Sequence, residues 1–142
     1  HIGRGDMPGG EDGIYNGAVD NATGTAAILE IGEAFIANPP QRSVMILAVT
    51  AEESGLLGSA YYGENPVVPF NQTVGGINID AILPTGRARD LVVIGYGASE
   101  LEDILGEEAA TQDRALVPDP HPQAGSFYCS DPISLAKRGF HT

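Results

Sequence analysis

Ser43-Val44-Met45-Ile46-Leu47-Ala48-Val49-Thr50-Ala51-Glu52-Glu53-Ser54-Gly55 is an apolar run that ends in two adjacent carboxylates. Its β-branched content, bounded by Pro39-Pro40 and Gly55, predicts a strand over Ser43–Thr50 buried on both faces of a sheet. Glu52 and Glu53 then emerge at the carboxyl end of that strand, the edge at which open α/β sheets bind ligands. What the pair can do depends on which other groups reach the same edge.

Upstream, residues 1–17 hold six glycines, one proline and no apolar period, and read as a loop. Ala26, Ala27, Ile28, Ile31, Ala34, Phe35 and Ile36 then share one face of a helix running to about Asn38. Asp20 or Asn21 is its natural N-cap, because a short polar side chain there accepts hydrogen bonds from the first turn, and Pro39-Pro40 stops it. Downstream, Leu56, Leu57, Ala60 and Tyr61 predict a helix from Glu53 to about Tyr62. Val74–Ile82 is expected to be a second buried strand, which carries Asp80 near its end, and Asp90–Gly95 a third. Ser99 and Glu102 form a capping box for a helix ending near Gln112. Ala115–Val117 is a short strand, the prolines at 118, 120 and 122 keep the next segment irregular, and Asp131 to about Arg138 is a marginal helix.

Alternating helices and apolar strands predict a three-layer α/β/α sandwich around a mostly parallel or mixed sheet, one domain over residues 1–142. Truncation at both ends is expected, since the chain opens at His1 without methionine and stops at His141-Thr142 without a closing signal. A net charge of −12 with 7 Lys+Arg removes the electrostatic footprint of a nucleic-acid binder and repels an anionic membrane surface. It suits cations instead. The single cysteine, Cys129, excludes an internal disulfide framework and a multi-thiolate metal site. No run of 18 apolar residues marks a membrane span.

Asp20, Glu52, Glu53 and Asp80 all fall at element ends in this reading. If the strands are parallel, the four carboxylates meet at one sheet edge, where their mutual repulsion calls for cations. Two divalent metals sharing one carboxylate, with another left as general base, is the hydrolytic arrangement such a set suits. Each acid also has a plainer reading. Asp20 can be a helix cap, and Glu52-Glu53 the first turn of a helix favoured by its dipole. Asp80 resists such a reading, because burial and β-propensity both disfavour an aspartate within Val74–Ile82.

Four motifs, in order and spacing, carry a resemblance: Asn16-Gly17-Ala18-Val19-Asp20-Asn21-Ala22-Thr23-Gly24, Thr50-Ala51-Glu52-Glu53-Ser54-Gly55-Leu56-Leu57-Gly58-Ser59, Asn78-Ile79-Asp80 and Phe127-Tyr128-Cys129-Ser130-Asp131. They resemble the di-zinc aminopeptidase family, which also includes glutamate carboxypeptidases and the inactive transferrin-receptor ectodomain. The resemblance implies that Asp20 bridges two zinc ions, Glu53 and Asp80 are terminal ligands, and Glu52 is the base that takes a proton from a metal-bridging water. It implies a peptide with a free amino terminus as substrate, and it leans towards a secreted or periplasmic location.

Two departures stand against activity. The family's first histidine ligand would lie upstream of His1, and Pro132 occupies the position of the second. Zinc binding is therefore expected to be weak or absent, and carboxylate-only sites suit harder ions such as magnesium or calcium better. His1, His121, His141 and the Cys129 thiolate are the remaining donors that could rescue a site; a loop position for His121 and a buried apolar role for Cys129 are the plainer readings. The alternative to an exopeptidase is a catalytically dead member used as a binding module. A magnesium site for phosphoryl chemistry ranks last, as no Lys, Arg or phosphate-cradling loop adjoins the motifs. A missing strand would leave a sheet edge open to self-association.

Overall fold

The computed structural model describes residues 2–5, 12–82, 86–97 and 99–140. The apolar stripe of residues 26–36 forms α1, Ala22–Ala37, capped by Asn21. The Asn21 Oδ1 accepts the Gly24 N–H at 2.8 Å, one of the donors a helix start leaves unsatisfied. The glycine-rich stretch before it is more than a loop: β1 (Ile2–Arg4) and β2 (Ile14–Asn16) pair antiparallel, Ile2 opposite Asn16.

A second unit is built from β3 (Asp90–Val93), α3 (Leu101–Thr111) and β4 (Ala115–Pro118). The two strands are parallel, with Asp90 opposite Ala115 and Val93 opposite Pro118, and α3 is the crossover that parallel pairing demands. Half of the capping box forms: Glu102 Oε1 accepts the Ser99 N–H at 3.4 Å and the Gly97 N–H at 2.8 Å, while Ser99 Oγ accepts the Leu101 N–H and leaves the Glu102 N–H to the Ser99 carbonyl. Ala109 of α3 is one of the buried hydrophobic residues; Ile133 is another.

Helix α2 spans Leu57–Glu64 and α4 spans Pro132–Ala136. They pack on each other through Ser59, only 1% exposed, whose Oγ lies 3.1 Å from both the Leu56 carbonyl oxygen and Ser134 Oγ. Arg138 reinforces the contact from the surface, donating to the Gly63 carbonyl at 3.3 Å and to Glu64 Oε1 at 2.8 Å. An ion pair as exposed as this adds little stability. Pro132 sits in the first turn of α4, where its missing N–H removes no helical bond.

The chain is thus α/β, but among the described residues the strands form two two-stranded sheets, β1–β2 and β3–β4, in place of the single central sheet expected. Ser43–Thr50 and Val74–Ile82, expected as buried strands, join neither. Val44, Met45, Ile46 and Leu47 are between 40% and 52% exposed and Ile77 is 87% exposed. An apolar, β-branched run makes a segment fit to be a strand, but a ladder needs a neighbouring strand to take its N–H and C=O groups. Among the described residues neither segment has one.

Candidate metal centre

Asp20 lies in the turn that enters α1, and its peptide bond to Asn21 is cis. Beyond capping the helix, Asn21 holds a distant segment. Its Oδ1 also accepts the Ala81 N–H at 3.2 Å, and its Nδ2 donates to the Ile79 carbonyl at 3.0 Å. Thr23 adds a third tie, its Oγ1 donating to the Val19 carbonyl and accepting the Ile82 N–H at 3.0 Å. These two side chains grip the backbone on both sides of Asp80 and bring it to Asp20. Gly24 is the buried residue that lets them do so: a Cβ there would lie 2.5 Å from the Ile79 carbonyl oxygen.

Glu52 and Glu53 lie in a tight turn, not in the first turn of a helix, since α2 begins at Leu57. Ala51 on one side (φ 59°) and Leu56 on the other (φ 60°) are both left-handed, a conformation that costs an L-residue on the order of 1–2 kcal/mol. Such strain collects at functional sites. Hydrogen bonds hold it: the Gly55 and Leu56 N–H groups donate to the Glu52 carbonyl at 2.9 and 2.8 Å, and the Gly58 N–H to the Thr50 carbonyl at 3.0 Å.

A further acid comes from the other end of the chain. Docking of α4 on α2 places Asp131, immediately before α4, in the cleft with Glu52. Its Oδ1 is buried and has no hydrogen-bond partner. Asp20, Glu52, Glu53 and Asp131 all line one open cleft of about 1350 Å³, together with Asn21, Gly24, Asn78 and Ile79. Asp80, which follows Ile79, does not line this cleft itself but feels its charges.

Those charges are mutually unfavourable. Partial burial pushes the Glu52 carboxyl above its ordinary range, and Glu53, Asp131, Asp80 and Asp20 each push it further. Asp80 is raised by partial burial and then by Asp20 and Asp131, against a lowering contribution from the Ala81 N–H. A raised carboxyl binds its proton more tightly in the folded chain than in the unfolded one. The associated stability is present below the ordinary carboxylate range and is lost as pH rises through the raised value. Metal-free Glu52→Gln should therefore melt above the parent at neutral pH, with the gap closing on acidification. Equal melting temperatures at neutral pH would contradict this.

Asp80 is exposed as a residue and only partly shielded at its carboxyl, so the strand burial that seemed to single it out is not its distinction; the charge of Asp20 acting on it is. Among the described residues no three His, Cys, Asp or Glu side chains stand close enough to hold one ion as they are. His121 is exposed, precedes the short 3-10 turn Pro122–Ala124 and is absent from the cleft lining. Cys129 is exposed rather than buried, because the 3-10 turn Ser126–Cys129 that carries it runs along the surface. His1 and His141 lie outside the described residues. Asp131 and Thr23 were not singled out beforehand; only the neighbouring Pro132 pointed at the former.

The whole chain, residues 1–142, matches Peptidase family M28. It belongs to that family. Relatives of this M28 chain include a vacuolar membrane protease of Pyricularia oryzae, 42% identical over 59 residues, which are 40% of this chain and 6% of that protein. Probable zinc metalloproteases of Pyrenophora tritici-repentis and Pyrenophora teres f. teres are each 32% identical over 66 residues, 46% of this chain and 14% of theirs. The M28 chain thus spans a small part of the curated relatives it matches. No solved structure matches it. None of the relatives' names supports export. No described helix is long and apolar enough to cross a membrane.

Proposed function

We propose that this chain carries the carboxylate half of a zinc-dependent, aminopeptidase-like centre that hydrolyses the amino-terminal bond of peptides. What supports this most is the meeting of acids from separate segments, at 20, 52–53, 80 and 131, around one cleft in a chain of peptidase family M28. The donors fit a divalent cation in charge and in kind, being carboxylate oxygens that line or adjoin one cleft. Asp20, Glu53 and Asp80 would hold two zinc ions, with Asp20 shared. Zinc, when bound, supplies Lewis acidity that activates water and polarises a carbonyl.

Glu52 is the proton carrier. A base works best when its pKa lies near the working pH, and the burial and like charges around Glu52 move it in that direction. It takes a proton from the attacking water and returns it to the departing amine. The free ammonium group of a peptide is the partner proposed for the acidic cleft. The net charge of −12 disfavours nucleic acid and anionic membranes as partners. Self-association through a sheet edge belongs to the same proposal, because among the described strands β3 and β4 pair only with each other.

One observation favours a second reading, a binding module without catalysis. Pro132, at the position where the family resemblance puts an imidazole, offers no donor. The 142-residue chain is accordingly expected to be inactive or nearly so. The test is hydrolysis of amino-acid anilides in zinc, with free and with acetylated amino groups. The parent should stay near background, and any turnover in a Pro132→His variant should be confined to the free amines. Cleavage of acetylated substrates at a similar rate would sink the exopeptidase reading, and brisk turnover by the parent would sink the weak-site reading.

A further inference from the structure

Residues 43–51 carry no charge, with Arg42 standing before them and Glu52-Glu53 after them. Among the described residues the backbone of 43–49 makes no hydrogen bond and joins no sheet, and Val44, Met45, Ile46 and Leu47 are each at least 40% exposed. Unpaired backbone groups flanked by apolar side chains are a template for pairing with another chain. The chain also has surface to spare: it exposes 10586 Å², where a compact monomer of its mass exposes about 7,000 Å². That surplus exceeds the roughly 1,000–2,500 Å² that each subunit hides in an obligate homodimer.

Charge selects what can lie against this segment. A stretch positive at its start and negative at its end is complementary to a second copy of itself when the two run antiparallel. Run parallel and in register, they would set Arg42 on Arg42 and glutamate on glutamate. With Ile46 on a twofold axis, Met45 stands opposite Leu47 and Val44 opposite Ala48, so no charge faces another directly from 43 to 49. Arg42 then falls opposite Thr50 and diagonal to Glu52 of the second copy, within reach of a long side chain. Ile46 approaches Gly32 of α1 and shares a groove with Val44, Phe35 and Ile36, so a strand laid beside this segment borders apolar surface.

We propose that residues 43–49 are a self-association surface whose occupant is the same segment of a second copy, paired antiparallel about Ile46. The contact is separate from any made through β3 or β4, and it does not depend on the cleft being a metal centre.

Sedimentation velocity of the full chain in about 0.15 M salt, where the net charges of the two copies are screened beyond about 8 Å, tests this. The parent should sediment as a dimer. Ile46→Lys, which sets two ammonium groups on the axis, should be monomeric at the same concentration. Disulfide formation in a Cys129→Ser background reads the register. Ile46→Cys lies opposite its own copy, at the Cα separation of about 5 Å that a disulfide spans, and should give a covalent dimer on oxidation. Ser43→Cys, about 20 Å from its own copy, should not. A monomeric parent would overturn the inference. So would a dimer that Ile46→Lys leaves intact, because it would use another surface such as the β3–β4 edge. Assemblies that keep growing with concentration would also overturn it, since a twofold contact closes at two copies. If Ile46→Lys does not fold, the cysteines decide: cross-linking at neither, or equally at both, would contradict an antiparallel pairing about Ile46.

Discussion

Replacing Pro132 with histidine is expected to raise zinc affinity by about 10–100-fold or more, since losses outside the ligand shell already cost that much. The fold should tolerate the change. Pro132 occupies the first turn of α4, a position that asks only for helical backbone angles. Losing the proline frees the unfolded chain at a cost of about 0.4–1 kcal/mol, whereas a hundredfold gain in zinc affinity corresponds to about 2.7 kcal/mol. The metal should win. Amidase activity should rise with it and vanish in Pro132→His/Glu52→Gln, because proton transfer still needs Glu52.

Gly24→Ala should produce the largest loss of stability of any single methyl addition in α1. Helix propensity alone favours alanine by about 1 kcal/mol. Here packing overrides it: the new Cβ would collide with the Asn21 side chain and lie 2.5 Å from the Ile79 carbonyl oxygen, which is backbone and cannot step aside. Overpacking of this kind costs about 1–3 kcal/mol, and the hydrogen bonds from Asn21 to Ile79 and Ala81 would be strained with it. Urea denaturation should show the loss, and metal affinity should fall as Asp80 moves away from Asp20. Gly32→Ala is the control. Its Cβ would meet only the end of the flexible Ile46 side chain at 2.9 Å, so it should be neutral or stabilising. Equal effects at the two glycines would remove the argument that α1 and the Asp80 segment are held at a fixed approach.

The elements legible in the sequence are those with local causes. α1 follows from an apolar period closed by Asn21 and Pro39-Pro40, and α3 from Ser99 and Glu102, whose side chains both bond backbone N–H groups at its start. β3 and β4 lie within or one residue beyond their expected bounds because a short crossover helix joins them. Ser43–Thr50 and Val74–Ile82 failed as strands for a non-local reason: composition fits a segment for a sheet but does not supply the strand beside it. The small β1–β2 pair was hidden by Gly3 within its first strand and by Gly5, Gly13 and Gly17 beside the two three-residue strands.

The site divides in the same way. Asp20, Glu52 and Glu53 could be singled out because each lies inside a recognisable motif, and the cleft collects all three. Asn21 was visible as a cap, but its grip on Ile79 and Ala81 joins residues about sixty positions apart and leaves no local pattern. Asp131 was overshadowed by Pro132. Its place in the cleft beside Glu52 depends on how α4 meets α2, and no spacing within Phe127–Asp131 encodes that.

The central claim is that acids from distant segments serve one metal centre pivoting on Asp20. Calorimetric titration of the full chain with zinc, repeated on Asp20→Asn, Glu53→Gln and Asp80→Asn, tests it most directly. The account predicts saturable binding to the parent, weakened by each substitution and most by Asp20→Asn, which removes the shared ligand. Heats indistinguishable from buffer in the parent, or binding that survives Asp20→Asn unchanged, would contradict it.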